Sequence, residues 1–330
     1  MRICLTISDC PALEMESARR TGDAERGIPA MAALTRLARF ADRHEEADGW
    51  RAVAWRAAFD DPCAAPAVVA AWATDVAPGE GVWLAQPVRL TAAADHLRLH
   101  GAGLMYLEDA EARDWIDAYG ATFGGGLPRL RAVAGGFLLE GIEPGAGPPD
   151  PAERAGTRLD SHARGGSKAL RRQAAELELW LHEHSLNARR ARHGLPPITA
   201  LWLWGGGAAS APPSRRSTVP LRLFGDDAFV AGLGAALGVA PAVASLPAVL
   251  DAPSNETRVV QVSARATVAA NQLPLERIDR EWIAPLAAAV ADRRVDELEI
   301  AVSRQRFVTR RSHRLRWWRR ARPWWDTVAR

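Results

Sequence analysis

Asn187 and Arg190 stand three positions apart in LNARRARHGLPPITALWLWGGG, the stretch from Leu186 to Gly207, and on a helix residues at i and i+3 share a face. A guanidinium recognises carboxylate or phosphate oxygens through its N–H fork, and the backbone N–H groups of a glycine-rich turn add donors with no side chain in the way. Gly194 stops the helix and Pro196-Pro197 turn the chain. Ile198 to Trp204 then reads as a short buried strand, and Gly205, Gly206 and Gly207 permit a sharp turn or a close approach to a ligand. The expected ligand-binding set is therefore Asn187, Arg190, Gly194, Gly205, Gly206 and Gly207, and the expected ligand is a small phosphate or carboxylate anion. The competing reading is structural: Asn187 and Arg190 cap and pair a helix end while the glycines make a turn.

Other residues capable of chemistry form weaker sets. His162, His182, His184 and His193 cluster in sequence, but His182 and His184 are two apart and point to different faces of a helix. Trp180 and Ala188 occupy the positions four away from His184, so helix-end histidines are expected in place of metal ligands. The glycines of GLGAALG fall inside a helical run, where they suit close packing, and no G-x-S-x-G elbow, Walker loop or helix-opening G-x-G-x-x-G is present. Near the C-terminus Arg310, Arg311, Arg314, Arg316, Arg319, Arg320 and Arg322 interleave with Trp317, Trp318, Trp324 and Trp325. That mixture suits a protein partner, a membrane surface or a nucleic-acid backbone, whereas the packing alternative folds the tryptophans onto the core and leaves the arginine heads in water.

These groups must be positioned by a chain of 330 residues, enough for two units because single cores stop growing near 250 to 300 residues. A net charge of +3 is too even for a general nucleic-acid binder. Cys4, Cys10 and Cys63 are too few and too scattered for a disulfide frame or a zinc site, and with no signal peptide in view a cytoplasmic location is expected. Residues 228–250 are free of charge but interrupted by Pro241 and Pro247, so a helix followed by an apolar connection is expected there, not a membrane span. Ile3 to Ile7 reads as a strand ending at Ser8-Asp9, and Ile28 to Arg43, Trp50 to Phe59 and Ala65 to Ala73 carry helical spacing. VWLAQPVRL and DHLRLHG look like strands, EDAEARDWIDAYGATF an amphipathic helix, and RLRAVAGGFLLEG a hairpin. After a linker at 142–166 come a long helix to Arg192, the strand at 198–204, a helix from Asp227, a strand at 258–264, a helix at 275–293 and a strand at 297–302. Such alternation implies a largely parallel sheet.

WLAQPVRL with DHLRLHG, the helix after them, ELWLHEHSLNARRARHGLPPITALWLWGGG and the terminal RLRWWRR together resemble a bacterial family of phosphoglycerate-mutase-like or RpfE-type regulatory proteins. That family is similar in turn to the cofactor-independent phosphoglycerate mutases of the alkaline phosphatase superfamily. The resemblance implies an α/β fold, an alkaline-phosphatase-like mostly parallel sheet core with an inserted small α+β domain. The core halves would be 1–80 and 167–330 and the insert with its linker 81–166. It also implies two metals held by Asp and His, and a Ser or Thr nucleophile at a helix start. Here Ile28 precedes Pro29 at the nucleophile's place with Ala32 nearby, SRQRF replaces an Asp-His pair after residues 300–302, and ARATVAANQ follows the strand at 258–264. Asp9 is left as the one position matching a metal ligand. The expectation is a non-catalytic or regulatory protein with no cofactor and no metal, binding a small anion. The alternative is an active mutase or phosphatase with rearranged ligands drawn from Asp9, Asp226, Asp227 and Asp251.

Overall fold

Ile3, Leu5 and Ile7 alternate with Cys4 and Thr6, a period of two that gives each face of a strand its own row. Every one of these residues is buried, as expected of a central strand covered on both sides. The computed structural model describes residues 1–10, 31–46, 49–92, 96–159, 165–182, 184–215, 219–251, 255–264, 274–316, 318–319 and 323–325. Its elements begin with β1 (Arg2–Ser8), α1 (Ala32–Phe40), β2 (Asp42–Glu45), α2 (Gly49–Arg56), α3 (Pro66–Ala71), β3 (Gly81–Ala92), β4 (Leu97–Leu104), α4 (Asp109–Phe123), β5 (Arg129–Val133), β6 (Gly136–Glu140) and β7 (Arg158–Leu159). They continue with α5 (Lys168–Leu181), α6 (Ser185–Arg192), β8 (Ala200–Ala208), β9 (Leu221–Phe224), α7 (Ala228–Leu237), α8 (Leu246–Leu250), β10 (Thr257–Ser263), α9 (Pro274–Ile278), α10 (Ala284–Ala291), β11 (Glu297–Val302) and β12 (Gln305–Arg310). A π-helical turn, Asp279–Ile283, joins α9 to α10.

The chain folds as two units, one of Met1–Cys63, Pro213–Asp226 and Val239–Arg330, the other of Ala64–Pro212 and Asp227–Gly238. The first holds a six-stranded sheet in the order β2-β12-β11-β1-β10-β9. β1 runs parallel to β10 and to β11, with Leu5 level with Val260 and Ile300, and β9 runs parallel to β10. The last two strands turn back: β12 is antiparallel to β11 and to β2. Ile3, Leu5 and Ile7 join Val260, Leu298 and Ile300 in one core with Leu34 and Leu37 of α1 and Leu286 and Val290 of α10. This mostly parallel α/β core is the expected fold class.

The second unit has an antiparallel sheet, β5-β6-β3-β4-β7, with β8 also paired to β3. Its boundaries differ from the expected insert at 81–166. β8 lies antiparallel to β3 from Gly81 to Val88, so the strand foreseen as part of the parallel core completes the second sheet instead. α5 packs on β8, and α3 packs on both β8 and α7, which draws residues 64–80 and 227–238 into the same unit. The long helix expected up to Arg192 is two helices, because His182 leaves helical geometry as the C-cap of α5 and His184 starts α6 as its N-cap. The apolar stretch 228–250 is likewise divided, into α7 and the short α8, and no helix among the described residues is long and apolar enough to cross a membrane.

The Arg and Trp segment folds back where it is described. Arg316 bonds Asp42 Oδ1 at 2.5 Å and the Phe40 carbonyl at 3.2 Å, Arg319 bonds the Ala41 carbonyl at 2.9 Å, and Arg43 reaches the Pro323 carbonyl at 3.1 Å. Trp324 is fully buried in the core of the first unit, whereas Trp318 is 64% exposed. Trp317, Arg320 and Arg322 lie outside the described residues, as does the side chain of Arg314. Trp324→Ala is therefore expected to destabilise the protein by about 3–5 kcal/mol, and Trp318→Ala by less than about 0.5 kcal/mol, in chemical denaturation. Equal effects would contradict this account of the segment.

Candidate functional site

Open parallel sheets place ligands beyond the C-terminal ends of their strands. In the first unit that edge is formed by Ser8 at the end of β1 and Asp9 after it, Gln261 and Ser263 on β10, and Asp226 after β9. Asp9 has φ of 58°, a left-handed conformation that Asp tolerates better than most residues, and it turns the chain out of the sheet. Its Oδ2 accepts hydrogen bonds from the Ser8 hydroxyl at 2.9 Å and the Ser263 hydroxyl at 2.6 Å. Gln261 Nε2 donates to Ser8 Oγ at 2.8 Å, and Gln261 Oε1 accepts the Asp226 N–H at 3.2 Å. Ser8 and Gln261 are buried. The result is a directed chain of donors, from the Asp226 backbone through amide and hydroxyl to one carboxylate.

A dinuclear metal site needs several carboxylate or imidazole ligands around each ion. Among the described residues no group of three or more His, Cys, Asp or Glu side chains is placed to hold a metal. Hydroxyls surround Asp9 Oδ2, Asp227 caps α7 by accepting the Phe229 N–H at 2.8 Å, and Asp251 is an exposed residue at the end of α8. Among the described residues this donor set does not fit the two-metal arrangement.

The second feature of this unit is the start of α1. The first N–H groups of a helix have no partner inside it and attract anions. Here two of them are taken: Ala33 N–H donates to Asp279 Oδ2 and Leu34 N–H to Asp279 Oδ1, each at 2.8 Å. Asp279 is 6% exposed and begins the π-helical turn. Ile28 and Pro29 lie outside the described residues, while Ala32 is the first residue of α1. Sequence reading missed Asp279, because its partners lie about 245 residues away and it resembles any other charge in the run LERIDREW.

The residues expected to hold an anion lie in the second unit, with their polar atoms engaged there. Asn187 Nδ2 donates to the Leu181 carbonyl at 3.0 Å and the Ile198 carbonyl at 2.8 Å, and its Oδ1 accepts the Ile198 N–H at 2.8 Å. It thereby ties α6 to the segment leading into β8. Arg190 is buried, donates from Nε to the Pro196 carbonyl at 2.8 Å, and pairs with Glu111 of α4. Gly194, at φ of 69°, makes the left-handed exit from α6 that a side chain would strain. Gly206 lies against the Trp83 ring, where a Cβ would sit 2.4 Å from ring carbons; Gly205 and Gly207 approach Pro66 and Val68 of α3. Gly205 to Gly207 belong to β8 and not to the turn that both readings expected, and they bring its backbone close to other parts of the second unit.

Three histidines of the sequence cluster, His182, His184 and His193, cap helices. His184 accepts the Leu186 N–H on Nδ1 at 3.2 Å, and its pKa is lowered by burial; its ring lies 5.0 Å from that of Trp115 and 5.1 Å from that of Trp180. His182 and His193 are the C-caps of α5 and α6, and His162 is outside the described residues.

No protein-family model matches this chain, and no curated protein matches it either. Solved structures similar to it include a cofactor-independent phosphoglycerate mutase from Thermoplasma acidophilum DSM 1728, at 16% identity and a TM-score of 0.37, covering 93% of this chain and 88% of that one. Another is the PH0037 protein from Pyrococcus horikoshii, at 12% identity and a TM-score of 0.44, covering 94% and 87%.

Asn187→Ala leaves the Ile198 N–H and carbonyl without their partner, a loss expected to be about 1–3 kcal/mol, and Gly206→Ala forces the Trp83 ring aside at about 1–3 kcal/mol. Both are read as lower denaturation midpoints without any anion present. A midpoint shift for Asn187→Ala that appears only with phosphate would instead assign the residue to a ligand.

Proposed function

We propose that this chain is a non-catalytic, regulatory protein on a phosphoglycerate-mutase-like scaffold, of the RpfE type that the sequence resembles, and that it does not transfer phosphoryl groups. The observation that carries this reading is the Asp279 carboxylate on the N–H groups of Ala33 and Leu34. An enzyme that passes a phosphoryl group at a helix start needs those donors for its substrate and transition state. A phosphate arriving here would have to displace a buried carboxylate and would meet its charge at short range. The hydroxyl network around Asp9 supports the same reading, since Ser8 and Ser263 both donate to the oxygen that a metal would need.

In this proposal the Asn187–Gly207 segment serves as a frame for the second unit and not as the anion cradle itself, which its internal hydrogen bonds favour. A cytoplasmic location fits a chain with only three cysteines, scattered at positions 4, 10 and 63.

Phosphoglycerate mutase and phosphatase turnover is expected to stay at background with manganese and with chelator alike. Turnover that manganese restores after chelation would overturn the proposal and favour the rearranged-ligand enzyme. Asp279→Ala is expected to lower stability by about 1–3 kcal/mol, because two first-turn donors lose their acceptor. Millimolar sulfate should recover part of that loss in the variant and leave the parent protein unmoved, since an anion that binds only the folded variant stabilises it by mass action. An Asp279→Ala protein as stable as the parent would remove the supporting observation.

A further inference from the structure

α10 carries the sequence APLAAAVA, and its alanines leave space beside α1 that larger side chains would fill. The space is a cleft of about 480 Å³ in the first unit, floored by Leu37 and Phe40 of α1 and Ala287 and Ala291 of α10, with Arg36 and His313 also lining it. Its volume falls within the range of small-molecule sites, and its lining is mostly apolar with a few polar groups, the usual composition of such sites.

Two of the polar groups have atoms without a partner among the described residues. Arg36 is exposed and makes no ion pair or hydrogen bond among the described residues, whereas its neighbour on the rim, Arg310, bonds Glu297 at 2.5 Å. His313 is only 4% exposed, and its buried Nδ1 has no hydrogen-bond partner among the described residues. Its Nε2 lies 3.6 Å from Asp42 Oδ2, too far for a hydrogen bond, so the ring proton is not committed to Asp42 and Nδ1 can carry it. Burial first, and then the Arg316 guanidinium, keep the imidazole's pKa below its ordinary value, although Asp42 opposes them. Nδ1 is closed to solvent, so His313 contributes its ring to the wall of the cleft and Arg36 is the group left to meet a ligand.

We propose that this cleft binds a single-chain amphiphile with a carboxylate head, of the medium-chain fatty-acid class. The alkyl chain lies along the alanines of α10 and against Leu37 and Phe40, and the carboxylate accepts from Arg36 at the rim. Charge selects the head group, because the unpaired group on the rim is a cation. Length selects a single chain, since the eight residues of α10 extend only about 12 Å.

The test is calorimetric titration of the full chain with decanoate below its micellar concentration, and with decanol. Saturable binding of one decanoate per chain is expected. Arg36→Gln, at an exposed position with no partner among the described residues, should weaken decanoate by about tenfold and leave decanol within about twofold, as expected when a charge-assisted contact is removed from one ligand only. Ala288→Leu, which places a larger side chain in the cleft from an exposed position, should abolish binding of both, with the thermal midpoint unchanged. No decanoate binding by the parent protein, or binding that neither substitution alters, would overturn the proposal. So would a dimer in sedimentation velocity that Ala288→Leu converts to monomer, because the cleft would then be an interface between copies of the chain.

Discussion

The carboxylate of Asp279 terminates the first turn of α1 from the far end of the sequence, and the arrangement of the first unit follows from that contact. A helix buried at its N-terminus must find acceptors for its leading N–H groups, and a charged acceptor is the strongest available. The π-helical turn that starts at Asp279 joins α9 to α10, so the same residue fixes where α10 lies against α1. Because α1 and α10 both pack on the parallel strands, the electrostatic contact and the apolar core support one geometry.

That contact also bears on chemistry. A helix start at a sheet edge is a good place to stabilise a phosphoryl group, and an internal anion converts the same donors into a structural joint. The edge near Asp9 follows a similar principle: the Asp226 N–H, Gln261, Ser8, Ser263 and Asp9 form a network in which the donors identified there meet protein acceptors. In the second unit Asn187 and Arg190 bind carbonyl oxygens and Glu111, although their residue types suit ligand recognition equally well. Residue type states which bonds a group can make; tertiary structure determines which partner it meets.

The cleft beside α10 differs from these networks in that Arg36 at its rim meets no partner among the described residues. It stands beside an apolar floor of Leu37, Phe40 and the alanines of α10, and a charged group next to accessible apolar surface is a usual physical signature of a binding site. The cleft lies on helices that the sequence marks only as amphipathic or alanine-rich, with no motif to draw attention to it.

Periodicity and punctuation alone determined much of the element order. The alternation of Ile3, Leu5 and Ile7, the helical spacing of residues 109–123 and the paired apolar runs at 129–140 each encode a local conformation, because a strand or a helix turn is decided by residues two to four apart. The largely parallel core was legible for the same reason, whereas the Arg and Trp segment divides between a buried Trp324 and an exposed Trp318. The short strands β2, β9 and β12 were not, since four to six residues carry too little pattern, and neither was the break at His182–His184, where helical spacing continues across a turn. Only tertiary structure decided that β8 pairs with β3, that Asn187 and Arg190 face the protein interior, and that Asp279 caps α1. Each of those depends on contacts between residues far apart in sequence, and the free energy of such a contact resides in the pair and not in either residue alone.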